Sequence, residues 1–378
     1  MRRFRSDPLG FLEGLAARDR APVFRLPWGG WCVRDTELAL TVLKDPRFNE
    51  GRSAFFGDLL PSRPAQIAFG RDMRRALLAQ LPAYRDNMAE AVDRLPGTTS
   101  WPATGPDLVF RSTADWLLHP EAAPPLRRAM HEAVHSGVLV RQPAMGQRAR
   151  AEVARARLVR ATLTHVAERR RQGGVREPRD LLDTVISASP AGADDRTVAD
   201  LYRLIQQSVV RNVGYALSWS LLLDCLHATP VARGQWPADH SVREAARHRP
   251  MVWMVGRRLP HPGEFGGVQV PAGATLAVSP YLLHHDEDRW SDPHLFRPDR
   301  WSRPQTCGPY LPFSDGPFTC AAAQVAQTMI SVAFGLLSHA RQLSTPGAVP
   351  HPVVTDAAIP RPFVLHRTTK VPTPTGRR

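Results

Sequence analysis

Cys320 lies in an unusual setting for a lone cysteine. Residues 310–326 read YLPFSDGPFTCAAAQVA, so this cysteine follows a Gly-Pro turn and precedes an alanine-rich stretch. The other cysteines, Cys32, Cys225 and Cys307, are scattered, and no two have the CxxC spacing. This pattern disfavours a disulfide framework or a zinc clamp and favours a reducing compartment. Three roles stay open for the sulfur of Cys320: a ligand, a nucleophile or a piece of packing.

A carboxylate and two arginines form a second pattern that could do chemistry. Glu244 and Arg247 stand three residues apart in REAARHRP, and Arg300 ends the motif Phe-x-Pro-x-Arg in FRPDRW. A planar guanidinium can hold a carboxylate through two parallel hydrogen bonds. The alternative is a solvated pair on a helix surface, which contributes only about 0.2–0.5 kcal/mol.

Three further patterns indicate weaker candidates. His284, His285 and Asp286 are adjacent, but neighbours in sequence seldom converge on one ion, so we interpret them as a surface loop. The aspartates in ADDRTVAD (193–200) could suit a magnesium-diphosphate site, although a capped helix start is the favoured interpretation. The chain contains no G-x-S-x-G elbow, which argues against a serine hydrolase.

Composition sets the general class of the protein. Of 378 residues, 43% are hydrophobic and 22% are charged, and the net charge of +14 comes almost wholly from arginine. The arginines are spread along predicted helices rather than interleaved with aromatic residues, so we predict no nucleic-acid partner. No stretch has the length and apolarity of a membrane span. We therefore expect a soluble, cytoplasmic protein whose basic surface attracts acidic partners.

The elements that must position these residues are mostly helical. Helical spacing predicts helices over 8–20, 36–45 (capped by Thr36), 71–95, parts of 121–172, 194–225 and 321–340. A hairpin is predicted over 21–35 with its turn at Gly29-Gly30, and short strands follow Pro250. The helix over 194–225 becomes almost wholly apolar, which predicts that it runs through the core. We predict a mainly α fold with small β-sheets (α+β), one domain over 1–366 and a disordered tail over 367–378.

Several of these motifs together resemble the cytochrome P450 family. The similarity rests on Glu-x-x-Arg, Phe-x-Pro-x-Arg, the text between them and the Phe-x-x-Gly-x-x-x-Cys loop, carried here by Glu244, Arg247, Phe296, Pro298, Arg300, Phe313, Gly316 and Cys320. These motifs occur in the family's order, and weaker similarity extends to the N-terminus. The resemblance implies a cytochrome P450-like fold with a long central helix.

The resemblance also implies a cofactor and its ligands. The cofactor would be haem b, with Cys320 as the thiolate ligand of the iron, and electron donation from this sulfur promotes O–O cleavage in the family. Phe313 and Gly316 would belong to the haem-binding loop, and the helix after Cys320 would favour the thiolate. Glu244, Arg247 and Arg300 would form a buried network that fixes this loop. Arg74 and Arg257 stand where family arginines reach the haem propionates.

The chain departs from the family pattern around the haem. Phe318 replaces an arginine or histidine that normally pairs with a propionate, and Ala322 replaces a glycine. Gly70 replaces a histidine or tryptophan. The segment 227–242 is shorter than the family's pair of helices. We therefore expect haem to bind less tightly than usual.

A larger departure falls on the long helix. Aligned on ALSW (216–219), the family's acid-alcohol pair, which relays protons for oxygen activation, becomes Arg211 and Asn212. Arginine cannot release a proton at a useful pH. Arg211 either binds an anion beside the iron, as in the peroxide-using branch of the family, or points at a helix carbonyl or solvent.

These observations leave several functions open. The first hypothesis is oxidation of an apolar secondary metabolite, such as a terpenoid, by a monooxygenase that receives electrons from a ferredoxin. The second is a peroxygenase in which Arg211 holds a substrate carboxylate. The third is a non-oxidative isoprenoid cyclase or isomerase, or a non-catalytic helper that docks on a carrier protein.

Overall fold

The computed structural model describes residues 4 to 369, except 5, 20, 122–123, 137–144, 173–176, 228–235, 304–306, 340 and 355–356. Thirteen α-helices lie in this part of the chain: α1 (Pro8–Arg18), α2 (Thr36–Lys44), α3 (Arg63–Ala79), α4 (Leu81–Asp93), α5 (Thr104–Leu117), α6 (Pro124–Ser136), α7 (Met145–Arg171), α8 (Leu181–Ala188), α9 (Asp195–Gln207), α10 (Val213–His227), α11 (Ala238–His248), α12 (Pro280–His284) and α13 (Ala323–Ser338). Helices dominate, as predicted.

The strands form four small sheets in the described residues. They are β1 (Val23–Arg25), β2 (Trp31–Val33), β3 (Thr98–Trp101), β4 (Val255–Arg258), β5 (Gly263–Phe265), β6 (Val268–Val270), β7 (Thr275–Val278), β8 (Arg341–Ser344), β9 (Pro352–Val354), β10 (Ala358–Pro360) and β11 (Phe363–Thr369). The largest sheet has the order β1-β2-β7-β4, in which β2 and β7 run parallel. The hairpin predicted over 21–35 is β1–β2, paired from Val23↔Val33 to Arg25↔Trp31.

The predicted long helix runs through the main core. It consists of α9, a π-helical turn over Ser208–Asn212, and α10. Its second half is buried on almost every side, and Trp219 donates a hydrogen bond to the carbonyl of Ala358. The helix packs against α5, α11 and α13. The apolar pattern of the sequence thus predicted both the helix and its burial.

The central helix and α5 approach each other unusually closely. A Cβ atom added to Gly214 would lie 2.4 Å from the backbone nitrogen of Pro106, and one added to Gly105 would lie 2.2 Å from the carbonyl oxygen of Gly214. No other residue fits at either position without moving a backbone. The first turn of α5 is therefore fixed against the helix that carries Arg211 and Asn212.

Some predicted boundaries differ from the structure. Asp35, not Thr36, caps α2 by accepting from the backbone N–H of Leu38, while Thr36 donates to Asp286. The helix predicted over 71–95 begins at Arg63 and is interrupted at Gln80, where Pro82 opens α4.

The end of the chain differs from its prediction as well. Strand β11 continues to Thr369, so residues 367–369 pair within a sheet rather than belonging to a disordered tail. The remainder of the predicted tail, 370–378, lies outside the described residues, as does half of the short segment 227–242 (residues 228–235). Among the described residues, no helix combines the length and apolarity needed to cross a membrane.

Candidate active site

The loop before Cys320 has a backbone that only a few residue types can adopt. Gly316 has a φ of +71°, and a Cβ atom there would lie 2.7 Å from the carbonyl oxygen of Leu43. The Asp315 side chain accepts from the backbone N–H of Gly316 at 2.7 Å. The backbone N–H of Cys320 donates to the carbonyl of Phe313 at 3.1 Å and closes the loop. The positive φ and the close packing explain why residue 316 is a glycine, and the side-chain hydrogen bond explains the aspartate before it.

The sulfur of Cys320 is both reachable and surrounded by protein. The residue is exposed, yet burial raises the pKa of its thiol, an effect that a hydrogen bond from the backbone of Ala322 partly offsets. A raised pKa makes the free sulfur a poor nucleophile. Exposure also argues against a packing role. A bound metal cation would release the thiol proton, so these features are compatible with the ligand role.

Glu244 is the centre of a buried hydrogen-bond network. Its carboxylate receives two bonds from Arg247, at 2.9 and 3.2 Å, and both residues are fully buried. Arg300 adds a bond of 3.1 Å and the indole of Trp301 adds one of 3.0 Å. Burial lowers the pKa of Arg247, while the bonds to Glu244 raise it. The three residues predicted from the sequence meet here, whereas Trp301 was missed.

His284 joins this network to the cysteine loop. Its Nδ1 lies 3.0 Å from the carbonyl oxygen of Arg247, and its Nε2 accepts from the backbone N–H of Leu311 at 2.8 Å. Burial lowers the pKa of His284 to about 3, so the ring is neutral. The interpretation of His284 and His285 as part of a surface loop is therefore wrong, since both are buried. His284 ends the short helix α12 and His285 follows it, and tertiary packing buries both rings, which adjacency in sequence does not reveal.

Arg257 is a buried cation that pairs with no carboxylate among the described residues. Its side chain donates to the Ser314 hydroxyl at 3.2 Å, and its Nε atom is buried without a hydrogen-bond partner. Burial lowers the pKa of Arg257 to about 10, so the guanidinium stays charged at neutral pH. An unpaired buried charge is costly, which indicates that an anion belongs beside it.

Phe318 lies between two guanidinium groups. Arg257 stands 5.0 Å and Arg63 stands 5.5 Å from the centre of its ring. The Nη1 atom of Arg63 is also buried without a partner. The sequence reading missed Arg63, although positions 63, 70 and 74 share one face of a helix and that spacing was a usable signal. Two arginines thus flank the position at which the family pattern has its own cation.

The position of Gly70 on α3 explains why this chain lacks the family's histidine or tryptophan there. A Cβ atom on Gly70 would lie 3.3 Å from the Cβ of Ala321, next to the cysteine, so a histidine or tryptophan would displace the loop. Arg74 is exposed and donates to the Gln324 side chain at 3.4 Å. The contact sets α3 against the start of α13.

These observations fit the haem group that the motifs imply. The reachable sulfur of Cys320 could hold the iron, and the unpartnered nitrogen atoms of Arg257 and Arg63 could hold the propionates. Arg74 is a weaker candidate because it is exposed and already has a partner. Phe313 and Gly316 shape the loop through the backbone.

The central helix changes its hydrogen bonding at the predicted distal residues. Arg211 and Asn212 end the π-helical turn, a feature that is frequent at functional sites. Asn212 is exposed although Val210 and Val213 on either side are buried. The Nε atom of Arg211 and the hydroxyl of Tyr215 are both buried without partners, and the guanidinium lies 5.7 Å from the Tyr215 ring. Tyr215 was missed by the sequence reading.

The aspartates over 193–200 already have partners. Asp194 caps α9 by accepting from the backbone N–H of Thr197. Asp195 accepts from Arg170, and Asp200 accepts from Arg196 and Arg203. The capped helix start is confirmed, and these carboxylates are committed to arginines rather than open to a magnesium-diphosphate.

Comparison with protein families supports the resemblance. The family model described as "Cytochrome P450" matches residues 238–361. A protein of Streptomyces melanosporofaciens named cyclooctat-9-en-7-ol 5-monooxygenase is 26% identical over 383 residues, covering 85% of this chain and 82% of that protein. Rat cytochrome P450 4A14 is 36% identical over 116 residues, but the match covers only 23% of it.

Solved structures match the fold over almost the whole chain. Ligand-free cytochrome P450 TbtJ1 superposes with a TM-score of 0.75 at 17% identity, covering 96% of this chain and 97% of that one. P450BioI, solved with an acyl carrier protein ligated to hexadec-9Z-enoic acid, gives a TM-score of 0.76 at 15% identity, with coverage of 97% and 100%. At these identities the likeness shows the fold alone.

Proposed function

Since this chain is a member of the cytochrome P450 family, whose enzymes bind haem b, we propose that Cys320 is the thiolate ligand of a haem iron in a monooxygenase. The observation that carries the proposal is that an exposed cysteine follows Phe318 by two residues, and that Arg257, which packs on Phe318, is buried with no carboxylate partner among the described residues. Bound haem would supply the oxidising chemistry. Side chains of this protein would position the sulfur, bind the propionates and bind the substrate.

On the proximal side, the chain positions the sulfur and the propionates. His284 ties the Glu244–Arg247 pair to the backbone of Leu311, nine residues before the cysteine. This network would hold the sulfur in place while substrate binds and leaves. Arg257 and Arg63 would neutralise the propionates in partial burial, where a paired charge is far less costly than a lone one.

We further propose an apolar substrate of terpenoid size. The Streptomyces relative that aligns over most of this chain is named for oxidation of a terpenoid alcohol. Electrons would come from a ferredoxin-type protein, because the net charge of +14 favours an acidic partner. An arginine cannot relay a proton at a useful pH and Asn212 is a poor relay, so protons would reach the site through water.

The thiolate is tested by the absorbance of the reduced protein under carbon monoxide, after expression with a haem precursor. We expect the red-shifted Soret band that marks thiolate coordination. The band should vanish in Cys320→Ser and persist in Cys307→Ser, the same change at a half-buried cysteine outside the loop. A wild-type protein that holds haem without this band would overturn the proposal.

The monooxygenase assignment needs a separate test with NAD(P)H, a ferredoxin and a ferredoxin reductase. We expect terpenoid alcohols or hydrocarbons to be oxygenated at the expense of NAD(P)H. Turnover that releases only hydrogen peroxide for every substrate tried would contradict the assignment.

A second candidate is a peroxygenase that uses a substrate carboxylate. The unpartnered Nε of Arg211 and hydroxyl of Tyr215 favour it, because together they offer two donors to one anion. The experiment supplies hydrogen peroxide and a long-chain carboxylic acid without any redox partner. Product should form with the wild type, be lost in Arg211→Ala and survive in Arg196→Ala, which changes an exposed arginine on α9. Activity that is equal in all three proteins would exclude this candidate.

A further inference from the structure

Two histidines and an aspartate meet where α6 lies beside the first turn of α5. The Nε2 atoms of His131 and His135, one turn apart on α6, are 2.8 Å apart. The Nε2 atom of His135 lies 3.4 Å from Oδ1 of Asp107 on α5. All three ligand atoms lie within 4.8 Å of one another. The cluster is formed by two helices and involves none of the residues assigned to haem.

One carboxylate oxygen of Asp107 has a partner and the other has none. Its Oδ2 accepts from Arg111 at 2.8 Å, whereas its Oδ1 is buried without a hydrogen-bond partner. The Asp107 side chain is only 14% exposed. A buried carboxylate oxygen left without a donor is rare and calls for an explanation, which a bound cation would supply. Both histidines are exposed, so an ion can reach them from solvent.

From this geometry we propose a binding site for a late first-row divalent metal ion, with zinc as the reference ligand, held by Nε2 of His131, Nε2 of His135 and Oδ1 of Asp107. Zinc binds imidazole nitrogen and carboxylate oxygen at about 2.0–2.2 Å in tetrahedral geometry, which separates ligand atoms by about 3.3 Å. The His135–Asp107 distance already matches, and the two imidazoles need to part by about 0.5 Å to reach that separation. Water would complete the fourth position.

The ion would join α6 to the first turn of α5, which packs closely against the central helix. Asp107 follows directly after Gly105 and Pro106, which abut Gly214 of the central helix. Arg127 already ties α6 to α5 through Asp115 at 2.8 Å. The metal would add a second tie, one helix turn and more away along α6. Zinc binding should therefore stabilise the folded protein by an amount that grows with the logarithm of the zinc concentration above the dissociation constant.

The test uses tag-free, haem-loaded protein titrated with zinc by calorimetry and by thermal unfolding. We expect one zinc per chain at this site and a melting temperature that rises with zinc. His135→Gln and Asp107→Asn should each weaken zinc binding by about tenfold or more, since even losses outside the ligand shell cost that much. His294→Gln is the control, because it removes an exposed histidine on another surface.

Zinc K-edge X-ray absorption provides a readout that a structural role would not change. The wild type should show outer-shell scattering from two imidazoles, and His135→Gln should show one. The carbon monoxide spectrum of the reduced haem should be the same with and without zinc, so the result is independent of the monooxygenase proposal. Unchanged zinc affinity in both His135→Gln and Asp107→Asn, or no zinc bound by the wild type, would overturn the inference.

Discussion

The Glu244 network, on the proximal side of the candidate active site, and the central helix, on its other side, differ in how completely their polar groups are paired. On the proximal side, the Glu244 carboxylate receives bonds from Arg247, Arg300 and Trp301, and it has no exposed surface. On the central helix, Arg211 and Tyr215 each have a buried polar atom without a partner. Saturated networks fix a structure, whereas unpaired buried groups retain the capacity to bind something else. The Glu244 network thus serves stability and positioning, whereas Arg211 and Tyr215 keep buried polar atoms available for the ligand that we propose.

The largest loss of stability should come from replacing Glu244, the acceptor at the centre of the buried network. Glu244→Ala leaves two buried guanidinium groups and an indole without their acceptor, which should cost about 3–5 kcal/mol of unfolding free energy. Urea denaturation and the haem-to-protein ratio after purification measure the loss. Glu90→Ala, in an exposed pair with Arg94, is the control and should cost less than about 1 kcal/mol. Equal effects would mean that the network does not hold the fold.

The same side should make stability depend on pH. His284 has a folded pKa of about 3, below its ordinary value of 6.5, so the unfolded chain binds its proton first. The neutral ring's contribution is complete above pH 6.5 and declines as pH falls through that value towards 3. Between pH 7 and 5 this one ring should cost about 2 kcal/mol of unfolding free energy.

The measurement compares urea unfolding at both pH values in the wild type and in His284→Gln. The variant should lose about 2 kcal/mol less than the wild type over this range. His294→Gln, at an exposed ring, should follow the wild type. An identical pH dependence in all three proteins would contradict the buried neutral state of His284.

Replacing Arg257 tests whether this unpaired cation beside the cysteine loop binds haem. Arg257→Ala removes a charge-assisted hydrogen bond, which is typically worth about 1.5–3 kcal/mol, so haem should transfer to apomyoglobin at least about tenfold faster. Arg258→Ala, at the neighbouring exposed position of β4, should leave the transfer rate unchanged. A faster transfer in Arg258→Ala alone would place the propionate contact elsewhere.

The smallest effect on stability, and the sharpest contrast between the two sides, is expected at Arg211. Arg211→Ala removes a charge that has no salt-bridge partner among the described residues, so unfolding free energy should change by less than about 1 kcal/mol, or rise. The spectral shift that a long-chain carboxylic acid induces in the haem should nevertheless disappear. A large loss of stability would show that Arg211 is a structural residue.

Much of the site could be predicted from the sequence, for identifiable reasons. Glu244, Arg247 and Arg300 meet as the family resemblance implied: the spacing of three residues puts Glu244 and Arg247 on one helix face, and Arg300 comes from the Phe-x-Pro-x-Arg segment. The apolar run of the central helix predicted its course through the core. The predictions failed where a partner comes from a distant segment: Asp35 displaced Thr36 as the cap of α2 while Thr36 bonds Asp286, which follows it by 250 residues.

The sequence by itself determined which groups carry charge, sulfur and apolar surface, and the order in which they occur along the chain. Tertiary structure decided what each group meets: that His284 is buried between Arg247 and Leu311, that Arg63 joins Arg257 at Phe318, and that Asp107 faces the two histidines of α6. The physical reason lies in the range of the two kinds of interaction. Helix formation and capping act over a few residues and can be read from local spacing, whereas burial and pairing depend on segments that only folding brings together.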